Sequence, residues 1–193
     1  MSPARFLLAA ALCAAAALPA HAFNERDIYG FERGPYTSDD DESEKKEWTE
    51  GEVTLPPYPE AQHLYSFYVS PTARSRFFVD TQNISIDRDG VVRYTLMIVS
   101  PSGVKNVSFE GMRCETREKR TYALGRPNGE WSKARGSQWT RIRNETTNRH
   151  HAALFLDFFC PDGIIAKKVE TVRKAIQKEG EPFGEASPPV STR

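Results

Sequence analysis

Histidine and cysteine, the side chains that most often carry metal or nucleophilic chemistry, are scarce in this chain: four and three among 193 residues. No C-x-x-C pair occurs, although closely spaced cysteines are usual in structural zinc sites. The G-x-S-x-G elbow of serine hydrolases and the glycine-rich loops that hold phosphates are also missing. The sequence therefore predicts no catalytic residue, no metal ligand and no cofactor.

Long apolar runs are equally rare. The continuous run at residues 6–18 is shorter than the roughly 20 apolar residues that cross a bilayer. Arg5 precedes this run and Ala20-His21-Ala22 follows it, which is the pattern of a secretory signal peptide. We expect export, cleavage after Ala22, and no transmembrane segment in the mature chain.

Cleavage at that point removes Cys13 and leaves Cys114 and Cys160. Because exported proteins meet oxidising conditions, an isolated pair of cysteines predicts one disulfide. Closing so long a loop stabilises a fold by about 4 kcal/mol in the chain-entropy model. The alternative is a reactive or metal-binding pair, which lacks the further ligands that a metal site needs.

A net charge of one sign is also lacking, since 26 basic side chains balance 26 acidic ones. The two signs are nevertheless separated along the chain. Residues 23–60 hold four basic and twelve acidic side chains, a net of −8, whereas residues 113–149 hold ten basic and four acidic ones, a net of +6. This separation indicates an interaction surface, or its masking by the acidic part. Ordinary solvated surface is the alternative.

The basic part interleaves arginines with aromatic residues, a combination that binds anionic groups. For an exported protein we expect no nucleic acid partner. An anionic lipid headgroup at a membrane surface, an envelope polysaccharide or an acidic protein partner fits better, because arginine pairs well with phosphate and carboxylate. The alternative is that the tryptophans anchor the core or a loop. The candidate binding residues are Arg117, Arg120, Tyr122, Arg126, Trp131, Arg135, Trp139 and Arg141.

Composition divides the chain into four parts. After the signal peptide at residues 1–22, an acidic flexible arm spans residues 23–47, because its repeated carboxylates repel one another and bury no apolar area. Residues 48–178 form a single folded domain. Residues 179–193, with several prolines, are predicted to be a disordered tail.

The first part of the domain shows the alternating apolar pattern of β-strands. Asp89-Gly90, between two such runs, is a strong hairpin signal. Gly111 interrupts another run, which predicts a bulge at that position. The predicted strands cover residues 64–69, 77–86, 91–99, 104–114 and 120–126.

The last part of the domain changes to helical spacing. Apolar side chains from His151 to Phe159 recur at i, i+3, i+4, i+7 and i+8, and a second amphipathic helix covers residues 166–177. We therefore predict an α+β fold, an antiparallel β-sheet meander with two C-terminal helices packed on one face. The disulfide would join the end of a strand to the end of the first helix. The candidate N-caps of that helix are Thr146, Thr147 and Asn148.

Four runs of sequence stand in order along this domain. They are Arg76-Phe77-Phe78-Val79-Asp80 with Asp89-Gly90-Val91-Val92-Arg93-Tyr94-Thr95, then Asn106-Val107-Ser108-Phe109-Glu110-Gly111-Met112-Arg113-Cys114, and finally Phe159-Cys160-Pro161. Over residues 48–176 the chain resembles the CNP-one-like family of exported proteins from Gram-negative bacteria. The resemblance implies a periplasmic location and supplies no catalytic or binding residues.

Two local groupings have alternative interpretations. Asp87-Arg88-Asp89-Gly90 is similar to part of a calcium loop, but apolar strand follows where further oxygen ligands would be needed, so we predict a hairpin turn. His150 and His151 point about 100° apart on a helix, so they cannot share one metal site. His151 is predicted to be a packed core residue, and a zinc site built from either histidine with distant acids stays open.

We expect a non-enzymatic binding or structural module of the cell envelope, and a small periplasmic hydrolase with an unrecognised site is the alternative.

Overall fold

The computed structural model describes residues 47–145 and 148–184. The predicted signal peptide, the acidic arm before residue 47 and residues 185–193 of the predicted tail lie outside these ranges. Within them, eight strands precede two α-helices with a π-helix between. The elements are β1 (Leu64–Ser66), β2 (Arg76–Asp80), β3 (Ser85–Ile86), β4 (Val91–Val99), β5 (Lys105–Arg113), β6 (Glu118–Gly125), β7 (Trp131–Lys133), β8 (Thr140–Arg141), α1 (Arg149–Ala153), the π-helix (Leu154–Phe159) and α2 (Val169–Glu179).

All described strands form one antiparallel sheet in the order β1-β2-β4-β5-β6-β7, with β3 paired to β4 and β8 paired to β6. The predicted α+β meander is confirmed, and β4 has the predicted bounds. The predicted run 77–86 is two strands instead. The Asp80 carboxylate ends β2 by accepting hydrogen bonds from the backbone amides of Gln82 and Asn83, at 2.9 and 3.4 Å.

The hairpin at Asp89-Gly90 is confirmed, with Gly90 at a φ of 76° between β3 and β4. The prediction of a bulge at Gly111 is wrong, because the bulge lies on the neighbouring strand β6. Phe109 of β5 pairs with Ala123 and Glu110 pairs with Thr121, so Tyr122 of β6 is the unpaired extra residue. Gly111 has a different cause, because the Tyr122 ring fills the space that a Cβ there would need.

Both faces of the sheet are covered. On one face Val92, Tyr94 and Leu96 of β4 pack with Met112 and with the helices. On the other face, the extended residues 47–59, called here the covering segment, lie over β5 and β6. Val53 packs beside Phe109 and Tyr122, and Tyr58 packs on the cluster of Leu64, Phe78, Met97, Val99 and Val107. The helices therefore occupy one face, as predicted, and the sequence before β1 covers the other.

The first predicted helix is two kinds of helix joined end to end. After α1 the chain widens into a π-helix, and the Cys160 amide donates to the Phe155 carbonyl five residues back at 2.8 Å. Asn148 occupies the N-cap position, without a capping hydrogen bond from its side chain. Thr146 and Thr147 lie outside the described residues. The second helix, α2, begins later than predicted and buries Val172 and Ile176.

The predicted disulfide between Cys114 and Cys160 is confirmed, with 5.5 Å between the two Cα atoms. It joins the residue after β5 to the residue after the π-helix. It therefore links the sheet covalently to the helical layer, as the sequence predicted.

The first residues of the predicted tail run beside β1. The Ser66 amide donates to the Glu181 carbonyl at 2.9 Å, and the Phe183 amide donates to the Leu64 carbonyl at 2.7 Å. The Phe183 ring packs edge-on against Phe78 with 5.1 Å between the ring centroids. Residues 180–184, called here the C-terminal segment, thus occupy the outer edge of β1. Among the described residues, no helix has the length and apolarity to cross a membrane.

Candidate functional site

The fold brings the predicted binding residues to one edge of the sheet. Four of them lie in β6 or directly beside it in sequence, and the others follow in β7, in β8 and in the loops between these strands. We call this region, residues 117–143, the basic edge. Its predicted members are Arg117, Arg120, Tyr122, Arg126, Trp131, Arg135, Trp139 and Arg141.

The aromatic members of the basic edge are structural anchors for the covering segment. Tyr122 is buried, and Trp131 and Trp139 are half-buried. The Trp131 indole donates to the Pro56 carbonyl at 2.9 Å. The Trp139 ring lies edge-on to the Trp48 ring, with 5.8 Å between their centroids. The two tryptophans thus have the alternative role that the sequence left open, since they anchor a loop-like segment to the sheet.

The arginines of the basic edge divide into engaged and exposed groups. The Arg117 guanidinium lies over the Phe155 ring at 5.2 Å, and Arg120 pairs with Glu50 of the covering segment. Four further cations are exposed, and none has an ion-pair partner among the described residues. Glu130 is the one acidic residue in the sequence from 119 to 144. The exposed cations are Arg126, Lys133, Arg135 and Arg141.

Glu50 attaches the covering segment to the sheet. Its carboxylate accepts a hydrogen bond from the Tyr122 hydroxyl at 2.6 Å and another from Arg120. Burial and the hydrogen bond to Glu50 raise the pKa of Tyr122 well above its ordinary value, so the phenol stays protonated and donating. One carboxylate therefore fixes two of the predicted binding residues in place.

Arg93 anchors the same region from inside the sheet. It is 3% exposed, and its guanidinium lies 2.6 Å from both Asp87 and Asp89. Burial opposes its charge, but the hydrogen bonds and the charge of Asp89 raise the pKa of Arg93 above its ordinary value. Asp89 also accepts from the Gly51 amide at 2.8 Å, and its backbone carbonyl accepts from the Trp48 indole at 2.8 Å. Asp87 and Asp89 thus form the predicted hairpin turn, where they bind the Arg93 guanidinium, and Asp89 also binds the covering segment.

A buried polar cluster lies between β5 and α1. The Glu110 carboxylate accepts from the Tyr94 hydroxyl at 3.0 Å and from the Ser108 hydroxyl at 2.8 Å. It also lies 2.8 Å from Nε2 of His151. Burial opposes the ionised carboxylate, but the charge and hydrogen bond of His151, with smaller contributions from Lys119 and Ser108, lower the pKa of Glu110 to about 2.

The sequence contains a signal for this cluster. His151 was predicted to be a packed core residue, and it is 4% exposed. Glu110 shares the alternation phase of Met112, which faces the helices, so its charge required a buried partner from the helical layer. The pairing of Glu110 on the strand with His151 on the helix was not predicted from the sequence.

The cluster is not ordered as a hydrolytic triad. Glu110 lies between Ser108 and His151, so the imidazole cannot take a proton directly from the Ser108 hydroxyl. Neither Glu110 nor His151 lines the two grooves that border the covering segment. The adjacent His150 stacks on Phe77 with 5.1 Å between ring centroids, and burial together with the charge of His151 lowers the pKa of His150 to about 4. These contacts hold α1 on the sheet.

Comparisons with known proteins found a relative of this chain and a family model that matches it. Over 162 residues the chain is 26% identical to "Cryptic neisserial protein 1" of Neisseria gonorrhoeae (strain ATCC 700825 / FA 1090), and the match covers 75% of this chain and 79% of that protein. No solved structure matches the chain. The model of the CNP1-like family matches residues 43–177, which include every described strand and most of α2. The chain therefore belongs to the CNP1-like family.

Proposed function

We propose that this chain is an exported, non-enzymatic binding module of the bacterial cell envelope, and that its basic edge binds an anionic partner. The observation that carries the proposal is the set of four exposed cations on β7, β8 and their loops, which have no ion-pair partner among the described residues. The signal-peptide pattern at residues 1–22 and the disulfide support an exported, oxidising location in the periplasm.

The chemistry of the basic edge favours phosphate or carboxylate groups. A guanidinium offers several N–H donors in one plane, which match the two oxygens of such anions. Because these side chains are exposed, their attraction is screened within about 10 Å at 0.1 M salt. Binding should therefore be strong at low ionic strength and weaken steadily as salt is added.

A charge-neutralised variant tests the proposal. Replacing Arg126, Lys133, Arg135 and Arg141 by glutamine should remove most binding of the mature chain to phosphatidylglycerol vesicles at low salt, measured by co-sedimentation. The matched control replaces four exposed lysines of α2 and the preceding loop by glutamine, and it should bind as the parent does. Equal losses in both variants would show that only net charge matters and would refute a site at the basic edge. The control lysines are Lys167, Lys168, Lys174 and Lys178.

A further inference from the structure

A groove of about 520 Å³ lies beside the basic edge. Its floor includes Met97 of β4 and Val107 of β5, which stand opposite each other in the sheet and are 3% and 7% exposed. Tyr58 of the covering segment and Phe183 of the C-terminal segment also line it. The groove volume falls within the range of about 300–1,000 Å³ that small-molecule sites occupy.

The groove wall formed by the covering segment depends on a glycine, Gly125, in the strand beneath it. A Cβ at Gly125 would lie 2.8 Å from Cβ of Val107 and 2.9 Å from the Tyr58 ring. Glycine therefore lets Tyr58 approach the sheet, where its hydroxyl donates to the Arg126 carbonyl at 3.2 Å. This contact fixes the apolar ring beside a residue of the basic edge.

The groove combines an apolar floor with positive charge. Lys105 and Arg126 line it, and no acidic residue does so. The Lys105 ammonium lies 4.9 Å from the centroid of the Phe183 ring, which keeps its charge beside the apolar wall. Arg126 is exposed, and its guanidinium donates to the Ser132 hydroxyl at 3.1 Å. The lining of the groove therefore suits a ligand that has an aliphatic part and an anionic part.

We propose that the groove binds a single anionic amphiphile as a monomer, with its aliphatic chain on the Met97–Val107 floor and its phosphate or carboxylate between Lys105 and Arg126. This inference rests on the proposed function of the basic edge and names the ligand class. The apolar contact adds affinity that a free anion lacks, since each buried methylene contributes about 0.8 kcal/mol. Lys105 and Arg126 should favour this ligand over an uncharged amphiphile with an aliphatic chain of the same length.

The binding experiment uses the mature chain and dodecyl phosphate below its micelle concentration. Titration calorimetry should show dodecyl phosphate binding at least about a hundredfold more tightly than inorganic phosphate, which a few buried methylenes suffice to produce. Dodecyl maltoside, which has the same chain without the charge, should bind more weakly. Equal affinities for dodecyl phosphate and inorganic phosphate would overturn the groove as the site of an aliphatic chain.

A pair of matched variants locates the site. Val104 lines the groove and is 56% exposed, so Val104→Glu places a carboxylate beside the headgroup position without emptying the core. It should weaken dodecyl phosphate binding by about tenfold or more, the size of a repulsion near 1.4 kcal/mol. Ile164→Glu, at a position that is 67% exposed and outside the groove lining, should leave the affinity unchanged.

Two results would contradict the proposal. One is equal weakening by the two variants. The other is binding that appears only after residues 185–193 are deleted, which would make those residues the occupant of the groove. If the four-glutamine variant loses vesicle binding while Val104→Glu binds dodecyl phosphate like the parent, the groove proposal fails and the proposed function stands. If vesicle binding is independent of the basic edge, the proposed function itself fails.

Discussion

Glu110 illustrates at the scale of a residue how a charge is kept in a core. Its carboxylate is 4% exposed and has Tyr94, Ser108 and His151 as partners, so each polar group offsets the desolvation of another. Such clusters add little net stability compared with apolar packing, but leaving one member unpaired costs about 3–5 kcal/mol. The cluster therefore fixes the position of α1 more than it strengthens the fold.

His150 makes the stability of the fold sensitive to acid. Its folded-state pKa is about 4, below the ordinary 6.5, so the unfolded chain binds more protons between these two values. The free energy of unfolding should therefore fall as the pH decreases from about 6.5 towards 4, by up to about 3 kcal/mol from this group. His150→Phe keeps a ring on Phe77 and removes the titration. Urea denaturation of the variant at pH 6.5 and 4.5 should show a smaller loss than in the parent, and an equal loss would contradict this assignment.

At the scale of elements, the long strands and the helical layer could be predicted from sequence, whereas the short strands β7 and β8 and the cover of the second face could not. β4 and β5 have nine residues each, which is long enough for an apolar strand pattern to show in the sequence. β7 and β8 have only three and two residues, and they exist because β6 supplies a partner. The covering segment has no repeating pattern, and its position is set by single contacts such as that of Glu50.

The same limit applies to the candidate site. Its arginines and aromatic residues could be picked out from the sequence, because they cluster between residues 117 and 141. The sequence could not show which of these side chains are exposed, because Arg120 and Tyr122 bind Glu50, which lies about 70 residues earlier in the chain. Lys105 of the groove was missed for the same reason, since only the sheet brings it close to Arg126.

Glu50 should decide how firmly the covering segment is attached. Glu50→Ala leaves the Tyr122 hydroxyl and the Arg120 guanidinium without their acceptor, at a cost of about 1–3 kcal/mol. Limited proteolysis should then cut residues 51–59 faster than in the parent. Glu52→Ala removes an exposed carboxylate two residues away and serves as the control. Similar cleavage rates for the two variants would show that the apolar contacts alone hold the segment.

At the scale of the whole molecule, two layers are tied together by one covalent bond. The Cys114–Cys160 bridge joins the sheet to the helical layer across a sequence separation of 46 residues. The double variant Cys114→Ser/Cys160→Ser should lose about 4 kcal/mol of unfolding free energy through the larger entropy of its unfolded chain. Chemical denaturation of the parent with and without reductant should show the same difference. A parent whose stability is unchanged by full reduction would contradict it.

The two edges of the sheet differ in a way that affects how copies of the protein meet. The edge at β1 already pairs with the C-terminal segment, so its backbone groups are not free to recruit another strand. At the opposite edge, β7 and β8 are short and carry Lys133 and Arg141. Two copies that approached through this edge would repel each other, and a bound anion would reduce that repulsion. The cations of the basic edge therefore also disfavour edge-to-edge pairing between copies of the chain.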